Sequence, residues 1–116
     1  MSGLYTRKLS DLKNMQGVKM IALGSRDGFI IGEKEDREIE TMAIMSAEMI
    51  RAAESATNKL ERSGPMHVVV DYGQGKLISA SVGPKALISV MVEQNASIDS
   101  IMGEIDRTAG KIREIL

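Results

Sequence analysis

The sequence VKMIALGSRDGFIIGE, residues 18–33, consists of two apolar runs separated by the tetrapeptide Ser25-Arg26-Asp27-Gly28. An Asp-Gly pair between apolar runs is a strong signal for a β-hairpin. Gly28 can take the positive φ angle that such a turn requires. We therefore expect two antiparallel strands at this point, covering residues 18–24 and 29–33.

The first strand of this hairpin is apolar on both of its sides. Successive residues of a strand face opposite sides of a sheet, so Met20 and Ala22 lie on one side while Ile21 and Leu23 lie on the other. A strand of this kind belongs in a sheet that is covered on both faces. Three helices shared between the two faces would provide that cover.

Helical periodicity, strand composition and turn residues indicate the remaining elements. In chain order, the predicted elements are a helix over residues 4–15, strands over 18–24 and 29–33, a long helix over 38–62, strands over 66–72, 76–82 and 86–92, and a helix over 97–116. Asp36 is the expected N-cap of the long helix. The order α-β-β-α-β-β-β-α contains no long linker, so we expect a single α+β domain over residues 1–116.

The composition argues against several classes of function. The formal net charge is −1, from 15 basic and 16 acidic residues, so there is no strong overall field to attract a nucleic acid. The aromatic content of 3% leaves few rings for stacking on bases, and the absence of cysteine excludes disulfides and thiol nucleophiles. Because no signal peptide or membrane span is evident, we expect a cytoplasmic protein.

No group of residues has the spacing of a catalytic, cofactor or metal site. His67 is the only histidine, and Asp71 on the same strand face is too far along the strand to touch it. The segment Gly73-Gln74-Gly75-Lys76 lacks the Ser or Thr and the following helix of a phosphate-binding loop, so it is interpreted as a hairpin turn. We expect neither enzyme activity nor a cofactor.

The surface of the long helix contains the candidate contact site. At about 100° per residue, its apolar residues share one face, but Ile44 falls within the polar face and Ala47 on its margin. Together with Glu40, Glu48 and Arg51, these residues are our candidate contacts for a protein partner or for a second copy of the chain. The sequence alone leaves both possibilities open.

Taken together, these features resemble the Roadblock / dynein light-chain family, in particular its small prokaryotic members. The resemblance rests on the hairpin ALGSRDGFII of residues 22–31, the Ala-rich long helix, the strand Val68-Val69-Val70, and the apolar run that ends at Val92 and precedes Asn95. It implies a profilin-like fold with a five-stranded antiparallel sheet. The long helix would cover one face of this sheet and the terminal helices the other.

The resemblance also implies a function. Family members form homodimers in which edge strands, here residues 66–72, join two sheets, and they bind Ras-like small GTPases as activators or scaffolds. We therefore expect a non-enzymatic, homodimeric regulator or adaptor of such a GTPase. The alternative is a structural dimerisation module that tethers a larger complex without affecting nucleotide turnover. A small-ligand sensor is a third hypothesis, which the scarcity of aromatic residues and polar clusters disfavours.

Overall fold

The computed structural model describes residues 2–32 and 36–116. Its elements, in chain order, are α1 (Ser2–Lys13), β1 (Val18–Ser25), α2 (Arg37–Lys59), β2 (His67–Asp71), β3 (Gly75–Val82), β4 (Ala86–Glu93) and α3 (Ile98–Arg113). The three helices and these four strands were all predicted from the sequence, with boundaries that differ by a few residues.

The four strands form one antiparallel sheet in the order β1-β4-β3-β2. The chain passes from β2 to β3 and from β3 to β4 through short turns. β1 pairs with β4 along its length and contains an irregularity between Val18 and Met20. β1 and β2 are therefore the two edges of the sheet.

Helices cover both faces of the sheet, as the two-sided apolar pattern of β1 predicted. α1 and α3 pack on one face, where the largest core cluster joins Leu12 and Ile105 to Ile88 of β4. α2 packs on the other face, where Ala43 contacts Ala22 and Ile50 contacts Leu87. These two layers bury the sheet and leave the outer surface of α2 exposed.

The prediction of a fifth strand is wrong, because the second arm of the hairpin does not continue as a strand. Gly24 and Ile30 form an isolated antiparallel bridge, and the Ile31 N–H donates to the Leu23 carbonyl at 2.9 Å. Gly32 then takes a φ angle of 94°, which turns the backbone out of the extended conformation. The last residue of the predicted strand lies outside the described residues.

The turn of the hairpin is confirmed. Gly28 has a φ angle of 94°, and its N–H donates to the Ser25 carbonyl at 2.9 Å. The Ser25 side chain adds a second bond, since its Oγ accepts from the Phe29 N–H at 3.1 Å. The tip of the hairpin, residues 25–29, is thus a closed turn with several internal hydrogen bonds.

The two ends of α2 differ in how well the sequence predicted them. The N-cap is confirmed, because Asp36 Oδ1 accepts from the Ile39 N–H at 3.0 Å. The C-terminal end comes three residues earlier than predicted. Glu61 takes a φ angle of 57° there, and the Arg62 N–H donates back to the Thr57 carbonyl at 2.8 Å. This closes the helix before the Gly64-Pro65 pair is reached.

A buried serine trio, Ser46, Ser79 and Ser89, connects α2 to the centre of the sheet. All three side chains are inaccessible to solvent. Ser79 Oγ donates to Ser46 Oγ at 2.8 Å, and Ser46 Oγ lies 2.6 Å from Ser89 Oγ. Because Ser79 and Ser89 are paired residues on β3 and β4, the helix hydroxyl lies between two strand hydroxyls. The trio therefore fixes the position of α2 on the sheet.

We expect Ser46→Ala to lower the free energy of unfolding by about 2 kcal/mol, because it leaves two buried hydroxyls without their shared partner. Ser89→Ala should cost about half as much, since the bond between Ser46 and Ser79 survives. Urea unfolding at one fixed protein concentration measures both changes. An equal cost for the two variants would contradict the central role of Ser46.

Candidate functional site

The exposed surface of α2 has two sides, which we call flanks, and the neighbouring residues Ile44 and Met45 lie on different flanks. Ile44 is 48% exposed and Met45 is 45% exposed, and consecutive helical residues point about 100° apart. The hairpin flank is the side of α2 that carries Ile44 and meets the hairpin tip. The methionine flank is the side that carries Met42 and Met45 and meets the open part of the sheet.

At the hairpin flank, Arg26 connects the tip of the hairpin to α2 and to the turn between β3 and β4. The Arg26 guanidinium forms an ion pair with the Glu54 carboxylate. Arg51 Nη1 donates to the Arg26 carbonyl at 2.9 Å. The Arg26 N–H donates to the Lys85 carbonyl, also at 2.9 Å. Three separate contacts therefore hold one residue of the tip in place.

The backbone of the tip also packs directly on the helix. A Cβ atom placed on Gly28 would lie 3.2 Å from the Cα atom of Ile44, so a side chain at this position would be crowded against α2. Phe29, the only phenylalanine, follows and is 73% exposed. An exposed aromatic residue thus directly follows the glycine that packs on Ile44, in a turn whose position is fixed by Arg26. Rigid, exposed aromatic groups are typical anchors in protein interfaces.

Four of the five contact residues that we predicted lie on the outer surface of α2 at or beside the hairpin flank. Ile44 is in contact with the tip, and Glu40 and Glu48 come one turn before and after it on the same side of the helix. Arg51 lies two turns after Ile44 and binds the tip through the Arg26 carbonyl. Glu48 and Arg51 are exposed, and Glu40 is half-buried.

Ala47, the fifth predicted contact residue, lies in the core of the single chain. It is 1% exposed and packs in a cluster with Ile50 and Leu87. Its small side chain allows the close approach between α2 and β4, which explains why a residue on the margin of the polar face is buried. Ala47 is therefore not part of the exposed surface that we consider below.

The methionine flank contains an open apolar groove of about 630 Å³. Met42 and Met45 of α2 and Leu77 and Met91 of the sheet line it, with Arg37, Glu38 and Thr41 at its margin. Strand pairing extends this surface, because Val70 pairs with Leu77, and Leu77 pairs with Met91. α2 does not cover the part of this surface that belongs to β2, so Val70 is exposed.

The β2 edge continues the same apolar surface. Val70 is exposed, as are Met66 and Tyr72 on either side of the strand. Val69 is also exposed, but it lies on the opposite face of the sheet, because its paired residue Ile78 belongs to the core under α1 and α3. β3 pairs with one side of β2, and no strand of the described residues pairs with the other side. Backbone N–H and C=O groups on that side are free to pair with another strand.

His67 has a partner that the sequence analysis did not find. Its Nε2 atom lies 2.8 Å from Asp106 Oδ1, and Asp106 is on α3, so this pair ties the edge strand to the opposite helix layer. The two residues are 39 positions apart in the sequence, so local sequence patterns do not indicate the contact. The pair is a tertiary contact between β2 and α3.

Asp71 closes the turn between β2 and β3. Its Oδ1 accepts from the Gly73 N–H at 2.9 Å, and its Oδ2 lies 3.4 Å from the Gln94 side-chain amide. These hydrogen bonds, together with the charge of Lys76, hold the pKa of Asp71 below its usual value.

The described part of the chain contains no cluster of acidic, histidine or cysteine residues that could hold a metal ion. None of its helices is both long and apolar enough to cross a membrane.

Comparison with known proteins gives one family and a group of similar structures. The family model of the Roadblock/LC7 domain matches residues 5–92. The Roadblock/LC7 domain from Streptomyces avermitilis has 18% sequence identity and a TM-score of 0.86, with 94% of each chain covered. The gliding protein MglB from Thermus thermophilus has 16% identity and a TM-score of 0.85, with 98% of this chain and 89% of that chain covered.

A second MglB structure, described as a tetrameric arrangement, has 18% identity and a TM-score of 0.86, with 98% of this chain and 88% of that chain covered. No curated protein matched the chain in the sequence comparison. At these low identities, the solved structures establish a common fold.

Proposed function

The chain belongs to the Roadblock/LC7 family, and on this basis we propose that it is a cytoplasmic, non-enzymatic, homodimeric regulator of a Ras-like small GTPase. The family match over residues 5–92 carries the proposal. The division of α2 into two apolar surfaces supports it, because a homodimeric regulator needs one surface for its second copy and one for its partner.

The second copy of the chain covers the methionine flank and the β2 edge. An isologous dimer brings the same patch of both copies together. Antiparallel pairing of β2 with its copy would use the free backbone groups of the edge. It would also place additional apolar surface over Val70 and Met45, which α2 leaves exposed.

The GTPase contacts the hairpin flank. Phe29 and Ile44 provide an apolar centre, and Glu40, Glu48 and Arg51 provide a charged rim, which is the usual arrangement of a protein interface. Because the contacts of Arg26 already hold the tip in place, binding requires little additional ordering of this loop.

We propose that the regulator acts by holding the GTPase and that the hairpin flank supplies no catalytic arginine. An arginine that enters the active site of a GTPase needs a free guanidinium group to stabilise the transition state. The guanidinium of Arg26 is engaged with Glu54, and that of Arg51 with the Arg26 carbonyl. Neither group of the hairpin flank is therefore available without breaking the contacts that position the tip.

Binding and turnover measurements with the Ras-like GTPases of the same genome test this function. We expect the protein to bind one of them in its GTP-bound state and to change its single-turnover rate of GTP hydrolysis. Binding without a change in rate would indicate the scaffolding form of the proposal. A stable homodimer that binds none of these GTPases in either nucleotide state would contradict it and favour the tethering module.

A further inference from the structure

The helix layer on the opposite side of the sheet from α2 contains a cleft of about 310 Å³ between α1 and α3. Leu4, Arg7 and Lys8 of α1 and Lys111 of α3 line this cleft. We propose that it is a binding site for the phosphate group of an organic phosphate. This proposal is independent of the GTPase proposal, because it concerns neither flank of α2.

Antiparallel packing of the two helices brings these cations together. At one end of the layer, Gly17 after α1 lies against Ala96 before α3, since a Cβ atom on Gly17 would be 2.6 Å from the Ala96 Cβ atom. The start of α1 therefore lies beside the end of α3. Residues three and four apart share one side of a helix, so Leu4, Arg7 and Lys8 face the same cleft as Lys111.

Among the described residues, no acidic side chain forms an ion pair with the three cations. The ion pairs among the described residues involve other basic groups. Asp11 follows Arg7 and Lys8 by about one turn, and Glu114 follows Lys111 by about one turn, but neither acid forms an ion pair with them. The cleft therefore concentrates positive charge on a chain whose net charge is −1.

The helix dipole gives a structural reason for the position of only one of these cations. Lys111 lies in the last turn of α3, where a positive charge interacts favourably with the helix dipole. Arg7 and Lys8 lie more than one turn from either end of α1, where the dipole has little effect. Their charges are thus free to interact with a ligand.

The number and type of these groups favour phosphate over carboxylate. A phosphate monoester carries a charge of about −1.5 to −2 near pH 7 and has three acceptor oxygens. A carboxylate has a single charge and two oxygens. The Arg7 guanidinium can bind two phosphate oxygens at once, and the lysines act as point charges. Exposed Leu4 offers an apolar contact to the organic part of the ligand.

Calorimetric titration of the purified protein at low salt tests the site, with glycerol 3-phosphate and pyrophosphate as phosphate probes and succinate as the carboxylate comparison. Arg7→Gln combined with Lys111→Gln removes two cations from the cleft. The control, Lys19→Gln combined with Lys59→Gln, removes the same charge from exposed positions elsewhere. We expect the cleft variant to lose at least about tenfold in affinity for phosphate and the control to bind like the unmodified protein.

Sedimentation with vesicles that contain phosphatidic acid, whose headgroup is a phosphate monoester, compared with vesicles of phosphatidylcholine alone, identifies the source of the phosphate. Binding to phosphatidic acid that is lost in the cleft variant assigns the site to a lipid headgroup, and binding to the free probes alone assigns it to a dissolved phosphate ester. Lys8→Gln provides a second, independent variant, which removes one cation and should lower the affinity for phosphate by a smaller factor. The proposal is overturned by equal affinity for succinate, by unchanged binding of the cleft variants, or by the absence of binding to both kinds of phosphate.

Discussion

Met45→Glu should raise the dissociation constant of the homodimer by roughly a thousandfold, because the two-fold relation places the new charge in the interface twice. Truncating or charging a central interface residue costs about 2 kcal/mol or more, and two such losses amount to about 4 kcal/mol. The side chain is 45% exposed in the single chain, so the fold itself should tolerate the change. Light scattering at micromolar concentrations measures the mass of each species.

Ile44→Glu is the matched control for this experiment. The two residues are adjacent on α2 and almost equally exposed, at 48% and 45%, so the two variants differ mainly in the flank that they alter. We expect Ile44→Glu to remain a dimer. A dimer that survives Met45→Glu but is disrupted by Ile44→Glu would show that the two flanks have been assigned the wrong way round.

Phe29→Ala should weaken binding to the GTPase by about thirtyfold, which corresponds to about 2 kcal/mol. The ring is 73% exposed, so its removal leaves the core intact and takes away the anchor of the proposed contact. Gly28 and Arg26 still hold the tip on α2, and the dimer should therefore be unaffected.

Calorimetric titration of the GTPase in its GTP-bound state measures this loss, with light scattering on the same sample to confirm the dimer. Leu116→Ala is a suitable comparison, because it also shortens an exposed apolar side chain but lies outside both flanks of α2 and outside the β2 edge. Equal affinities of Phe29→Ala and the unmodified protein for the GTPase would exclude the tip from the interface.

Much of the fold follows from local sequence patterns. The turn at Gly28, the cap at Asp36 and the exposure of Ile44 each depend on a few neighbouring residues, and the structure agrees with all three. The missing fifth strand depends on Gly32, whose positive φ angle ends the ladder. An interior glycine is a recognised warning in a predicted strand, so this error could have been avoided.

The candidate site was predicted less completely, because its geometry depends on contacts between distant parts of the chain. Helical periodicity located Ile44 but could not show that the hairpin tip packs against it. Ala47 was misplaced because a small residue on the margin of a helix fits either the surface or the core. Phe29 was not selected, although a lone phenylalanine next to an Asp-Gly turn is an available signal. The cleft at Arg7 and Lys111 requires the packing of α1 on α3, which no local pattern contains.

The open edge of β2 affects the behaviour of a single copy of the chain. Its centre, Val68-Val69-Val70, has the β-branched composition of segments that start amyloid-like stacking. The strand is only five residues long, and His67 and Asp71 at its two ends interact with Asp106 and Lys76. Natural proteins limit aggregation through exposed strands by keeping these strands short and by placing polar residues at their ends. These features limit the growth of longer assemblies through β2, and they are compatible with the single pairing that we propose.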